Sequence, residues 1–134
     1  MAKAKAKGST PRVTTLKKRA EYLRVRKGAR CATPAFVLEA KARGDDNPTR
    51  LPADAPRFGF TITKQVGKAV ERNRIRRRLK AAVRDMAPGL ARSEFDYVLI
   101  ARRAALTSQF AALASELAKA FARVHRAPAP ARMR

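Results

Sequence analysis

Between residues 64 and 84 the chain reads KQVGKAVERNRIRRRLKAAVR, nine Lys or Arg against the single acid Glu71. Val70, Ile75, Leu79, Val83 and Met86 recur through it at intervals of five, four, four and three, which predicts a helix over residues 69–87, closed by Pro88 and Gly89. At 100° per residue most of this apolar set gathers on one side, which can be buried. Asn73, Arg77, Lys80 and Arg84 gather on the other, flanked by Arg74 and Arg76. Few counter-charges within this helix relieve the repulsion between these cations, so the outer side is built either for water or for a polyanion. The whole chain repeats the bias: 32 Lys plus Arg against 10 Asp plus Glu, net +22 over 134 residues, which favours nucleic acid or an anionic surface as partner.

The segments around the helix define one small domain. Residues 1–13, Ala and Lys alternating up to Gly8 and Pro11, hold too little apolar mass to offset the entropy of ordering them and read as a disordered basic arm; residues 127–134 read as a second. The domain proper covers 14–126. Leu16, Ala20 and Leu23 predict a short helix inside 16–27, with Thr14 or Thr15 as N-cap and Gly28 as its stop. Tyr22 and Val25 fall off that stripe, leaving Tyr22 either a second core face or an exposed stacking platform for a base. Alternation marks strands over 35–43, with Phe36, Leu38 and Ala40 inward, and over 57–63, with Phe58, Phe60 and Ile62 inward. The Pro- and Asp-rich stretch 44–56 is a loop, its Asp45 and Asp46 read as turn residues rather than metal ligands. A central strand covered on both faces follows at 94–102, and Leu106, Phe110, Leu113, Leu117, Phe121 and Val124 mark a last amphipathic helix. The order helix, strand, strand, helix, strand, helix gives an α+β fold with one small sheet.

Catalytic chemistry is missing from this pattern. One cysteine, Cys31, and one histidine, His125, exclude a disulfide framework and a Cys/His zinc site within one chain, and no nucleophile, carboxylate pair or phosphate loop stands out. His125 reads as a helix C-terminal cap, positively charged toward the dipole, and Cys31 as a small buried hydrophobe. No 18-residue apolar segment occurs, and the basic start is not followed by an apolar run, so the expected setting is cytoplasmic, with no membrane partner.

The pattern Lys64-x-Val66-Gly67-x-Ala69-Val70-x-Arg72-Asn73-Arg74-Ile75-Arg76-Arg77-x-Leu79-Lys80 resembles the Arg-Asn-Arg signature of the protein subunit of bacterial ribonuclease P. Phe58-Gly-Phe-Thr-Ile-Thr-Lys64 before it, Asp96-Tyr-Val-Leu-Ile-Ala-Arg102 after it and Leu16-Lys-Lys near the start extend the resemblance over roughly residues 14–125. The resemblance implies a fold like the second domain of ribosomal protein S5, with a left-handed crossover through the basic helix. It implies as partners a catalytic RNA and precursor tRNA, whose 5′ leader the RNA removes by Mg²⁺-dependent hydrolysis, the Mg²⁺ being held mainly by RNA and substrate. Arg72, Asn73, Arg74, Arg76, Arg77 and Lys80 would then face the catalytic RNA, with Lys64, Lys68 and Arg84 extending the basic surface. Tyr22 and Phe36 match positions of a leader-binding cleft between the first helix and the sheet. Arg26 stands there where many members carry a second aromatic, and Glu39 where a neutral residue is common, its charge needing Arg26 or Lys41 as a partner. The charge and the arms alone would serve a structural ribosomal or nucleoid protein equally well; the extended motif is what separates the two readings.

Overall fold

The computed structural model describes residues 14–43 and 56–126. The two basic arms and most of the loop carrying Asp45 and Asp46 lie outside the described residues. Five strands form one mixed sheet: β1 (Thr14–Thr15), β2 (Ala29–Ala32), β3 (Phe36–Ala42), β4 (Arg57–Thr61) and β5 (Phe95–Ala101), in the order β1-β4-β5-β3-β2. The helices are α1 (Arg19–Val25), α2 (Ala69–Met86), α3 (Ala104–Thr107) and α4 (Phe110–Arg126), with a 3-10 turn at Lys64–Val66 leading into α2. β4 and β5 are parallel neighbours joined through α2, whereas β3 runs antiparallel to β5.

Alternation along the strands divides the sheet into two unlike faces. Register places Leu38 opposite Leu99, Phe58 opposite Tyr97 and Phe60 opposite Leu99, and these side chains form the main core under α2 and α4 with Ile75, Leu79, Val83, Leu113, Leu117 and Phe121. Tyr97 stacks on Phe58 at 5.1 Å and meets Phe121 edge-on at 5.1 Å, geometries that the aromatic quadrupole favours. The opposite face carries Val98 in a smaller cluster with Leu16 and Val25, Tyr22 and Ile100 packing against it. Among the described residues the helix that packs there is the seven-residue α1.

Several expectations change at this level. Thr14 and Thr15 belong to a strand rather than a helix cap; Lys18 is the N-cap of α1, and the N–H groups of Lys17 and Lys18 are taken by the Glu21 carboxylate at 3.1 Å each. The inward stripe of α1 is not Leu16, Ala20 and Leu23: Ala20 and Leu23 are exposed, and Glu21, Arg24 and Val25 are buried. Val70, grouped with the apolar set of α2, is 79% exposed because the interval of five puts it about 140° round the helix from Ile75, on the side of Arg77. The last helix is broken near Ser108 into α3 and α4, with the carbonyl of Ser108 accepting Arg78 Nη2. Strand β2, absent from the sequence reading, pairs with β3 as an antiparallel hairpin. Gly28 permits that hairpin to close, since a Cβ there would fall 2.0 Å from the Ala40 carbonyl oxygen.

Candidate nucleic-acid interface

The outer side of α2 presents what its sequence promised. Asn73, Arg74, Arg76, Arg77 and Arg84 are exposed, as are Lys64 and Lys68 ahead of the helix. Val70, Asn73, Arg76 and Arg77 line a shallow depression of about 400 Å³. Three cations of the run are partly committed to the protein itself. Arg72 is half-buried and donates Nε to the Gly67 carbonyl (3.1 Å), Arg78 donates Nε to the Ala105 carbonyl (3.0 Å), and Lys80 holds its ammonium 5.9 Å from the centre of the Phe60 ring. Lys80 is thus less solvent-facing than its helical phase implies.

A second, larger groove of about 490 Å³ opens between α1 and the β4 edge of the sheet. Tyr22, Arg26, Lys17, Arg19 and Leu23 line it from the α1 side, and Arg76 reaches it from α2. The two surfaces named from sequence are therefore contiguous, with Arg76 common to both. Tyr22 is half-buried because its ring lies on Gly59; a Cβ at that position would come within 2.6 Å of the ring. The backbone of β4 thus backs the Tyr22 ring, which also lines the groove.

Phe36 does not belong to this groove. It is 1% exposed and packs in the core under α2 and α4, on the face of the sheet opposite Tyr22, since alternation along β3 sends Phe36, Leu38 and Ala40 one way and Val37 and Glu39 the other. Glu39 does face the α1 side, is 2% exposed, and takes its hydrogen bond from Arg30 Nη1 at 3.3 Å, a partner supplied by β2.

What holds α1 over the sheet is an ion network that sequence reasoning missed. Asp96, 0% exposed in the middle strand, accepts from Arg24 Nη2 (2.6 Å), Arg43 Nη1 (2.6 Å), and Arg57 Nε (2.8 Å) and Nη2 (2.6 Å). Arg57 also donates Nη1 to Glu21 Oε2 at 2.9 Å, tying the same cluster to the start of α1. Burial alone would push the Asp96 carboxyl up, but the Arg57, Arg43 and Arg24 guanidiniums outweigh it and hold it below the usual range. An acid in an otherwise apolar strand, Phe95–Ala101, was the available signal, because a buried carboxylate requires cations.

His125 also departs from its expected role. The Tyr97 hydroxyl accepts the Arg92 N–H at 2.8 Å and shares a second hydrogen bond with His125 Nε2 at 2.6 Å, in a direction set by the imidazole tautomer. Burial, with Arg92 nearby, pushes the imidazole pKa down, which disfavours the charged cap expected of it.

This is a small α+β domain whose one basic helix and adjoining groove make a continuous cationic surface. Comparison with known proteins gives that class a family. The family model described as Ribonuclease P matches residues 10–125. A ribonuclease P protein component of Brucella suis is 44% identical over 117 residues, covering 83% of this chain and 79% of its own length. That of Paramagnetospirillum magneticum is 42% identical over 127 residues, covering 89% and 92%. In fold, the chain resembles the RNase P protein of Staphylococcus aureus (TM-score 0.64, 24% identity, 84% of this chain and 98% of that one) and that of Thermotoga maritima (TM-score 0.64, 21% identity, 85% and 97%). The chain belongs to the ribonuclease P protein family. Membership places it in tRNA processing as the protein component of a ribonucleoprotein endoribonuclease, and implies a partner RNA. Among the described residues no helix is long and apolar enough to cross a membrane.

Proposed function

We propose that the outer side of α2 binds the catalytic RNA while the groove at Tyr22 receives the 5′ leader of precursor tRNA, so that one protein bridges ribozyme and substrate in the cytoplasm. The observation that carries this reading is the contiguity of the two surfaces through Arg76. Guanidinium forks at Arg74, Arg76 and Arg77 suit phosphate oxygens in two-point geometry. The groove lined by Tyr22 suits an unstacked base, with Arg26 and Arg19 beside it for the phosphates on either side. Hydrolysis belongs to the RNA in this scheme. The side chains presented here are hydrogen-bond donors and cations, a poor donor set for Mg²⁺, which we place on phosphate oxygens of RNA and substrate. The one carboxylate in the basic run, Glu71, is already engaged by Arg103.

The test compares two substrates. Tyr22→Ala should weaken binding of precursor tRNA to the reconstituted holoenzyme by about 1–3 kcal/mol and leave mature tRNA almost unaffected. Equal losses for both substrates would remove the leader from this groove.

A further inference from the structure

Glu71 is the single acid in the run from 64 to 84. Lys68 lies three residues before it and Arg74 three after, the spacing at which helical side chains meet and pair. The structure directs its carboxylate elsewhere. Arg103, between β5 and α3, donates Nη1 to Glu71 Oε1 and Nη2 to Oε2, both at 2.9 Å, and Nη1 also donates to the Val66 carbonyl at 2.9 Å. Lys68 reaches Oε1 through its backbone N–H, at 2.9 Å. Gly67 keeps the space for this fork, since a Cβ there would fall 2.5 Å from Arg103 Nη1 and 2.6 Å from Glu71 Oε1. The Arg103 hydrogen bonds, helped by the Lys68 N–H, pull the Glu71 pKa down to about 2, so the acid is fully charged at neutral pH. Left to its own helix, that charge would neutralise a cation meant for phosphate.

We propose that Arg103 is a positioning residue for RNA binding: by occupying both oxygens of Glu71, it withholds the only acid of the basic run from Arg74 and leaves that cation to phosphate. This rests on the reading of α2 as the RNA-binding helix. It assigns Arg103 an effect on affinity that passes through Glu71 and not through any contact of its own with RNA.

A double-mutant cycle on the full chain, titrated with a transcribed bacterial ribonuclease P RNA across monovalent salt, tests it. Each cation lost to phosphate flattens the plot of log affinity against log salt by about 0.7–0.9, which is about six-fold in affinity at ~0.1 M salt relative to 1 M. Arg103→Ala should show that loss, and so should Arg103→Gln, which keeps a donor for Val66 but no charge. Glu71→Gln alone should bind as well as the parent or better, and Glu71→Gln/Arg103→Ala should bind as Glu71→Gln does. If Arg103→Ala costs the same in both backgrounds, Arg103 touches RNA itself; if Glu71→Gln alone loses as much as Arg103→Ala, the pair is only a structural latch. Either result overturns the proposal. Arg77→Ala separates this failure from a failure of the underlying reading. An unchanged slope with Arg77→Ala removes α2 from the RNA interface, whereas a flattened slope beside an additive cycle removes only the role of Arg103.

Discussion

Replacing Asp96 with Asn tests the claim that the ion network holds α1 in place. The substitution keeps the shape of the side chain but removes the charge, and its amide group turns two N–H donors toward guanidiniums that need acceptors. Asp96 is 0% exposed and serves Arg24, Arg43 and Arg57 at 2.6–2.8 Å. Removing one partner from a buried ion cluster costs about 3–5 kcal/mol, because the remaining charges stay desolvated without compensation. A small domain has only about 5–15 kcal/mol to lose. Urea unfolding followed by far-UV circular dichroism at pH 7 should therefore show the midpoint falling by roughly 1.5–2.5 M, for a slope of about 2 kcal/mol per molar. Asp85→Asn, at an exposed position of α2, is the control and should stay within about 0.5 kcal/mol of the parent. The acid limb provides a second readout. Since the folded carboxyl titrates below its unfolded value of about 3.9, Asp96 contributes stability above that pH, and the contribution is lost as pH falls through the folded value. Asp96→Asn should flatten that part of the curve. A variant within 1 kcal/mol of the parent, with the same acid limb, would sink the argument that this network carries α1.

Other substitutions separate the remaining parts. Leu79→Ala, at a fully buried position of α2, should cost about 2–5 kcal/mol through the cavity it leaves, whereas exposed Arg77→Ala should leave the melting temperature unchanged and flatten the salt dependence of RNA binding. Gly59→Ala should lift Tyr22 off β4 and weaken precursor tRNA binding while mature tRNA binding holds; a parent-like discrimination between the two substrates would show that the groove at Tyr22 is not used. His125 has a lowered folded pKa, so its contribution is intact above the unfolded value of about 6.5 and declines as pH drops from there toward the folded value. Melting temperatures between pH 8 and 5 should fall in the parent and change less in His125→Gln.

The sequence was most legible where one physical constraint acted alone. The strand alternation at Phe58, Phe60, Tyr97 and Leu99 and the helical spacing of Ile75, Leu79 and Val83 all report burial against one sheet face, and each falls in the main core. The reading failed where burial and charge competed. In α1 the apolar stripe pointed to Leu23, yet the face that docks carries Glu21 and Arg24, because Asp96 on the sheet below offers a charge to satisfy rather than an apolar surface to match. Phe36 was placed in the leader groove by its match to a family position, while its own alternation with Leu38 and Ala40 already put it in the core. The partner of Glu39 could not be named because it sits on β2, a four-residue strand too short to show a period. The pairing of Glu71 with Arg103 spans 32 residues of sequence and leaves no local trace.

The two functional surfaces are held by different physics. Helix α2 is 18 residues long and is fixed by apolar side chains that lie wholly under it, Ile75, Leu79 and Val83. Helix α1 has seven residues, well below the length at which a helix sustains itself, and buries little apolar surface beyond Val25 and part of Tyr22. Its place is secured instead by Arg24 on Asp96, and by Glu21 between Arg57 and the N–H groups of Lys17 and Lys18. Such a cluster is weak as a source of net stability, since apolar residues of similar volume would often do as well. It is strong in direction, because four short charge-assisted hydrogen bonds onto one carboxylate fix where Arg24 lies and hence where Tyr22 and Arg26, two residues to either side, enter the groove. In a chain with 32 basic residues, the buried acids do for α1 what the half-buried Glu71 does at the start of α2: each is held by arginines from other elements. The cations left outside those pairings, Arg74, Arg76, Arg77 and Arg84 among them, mark the surface on which a phosphate backbone would fit.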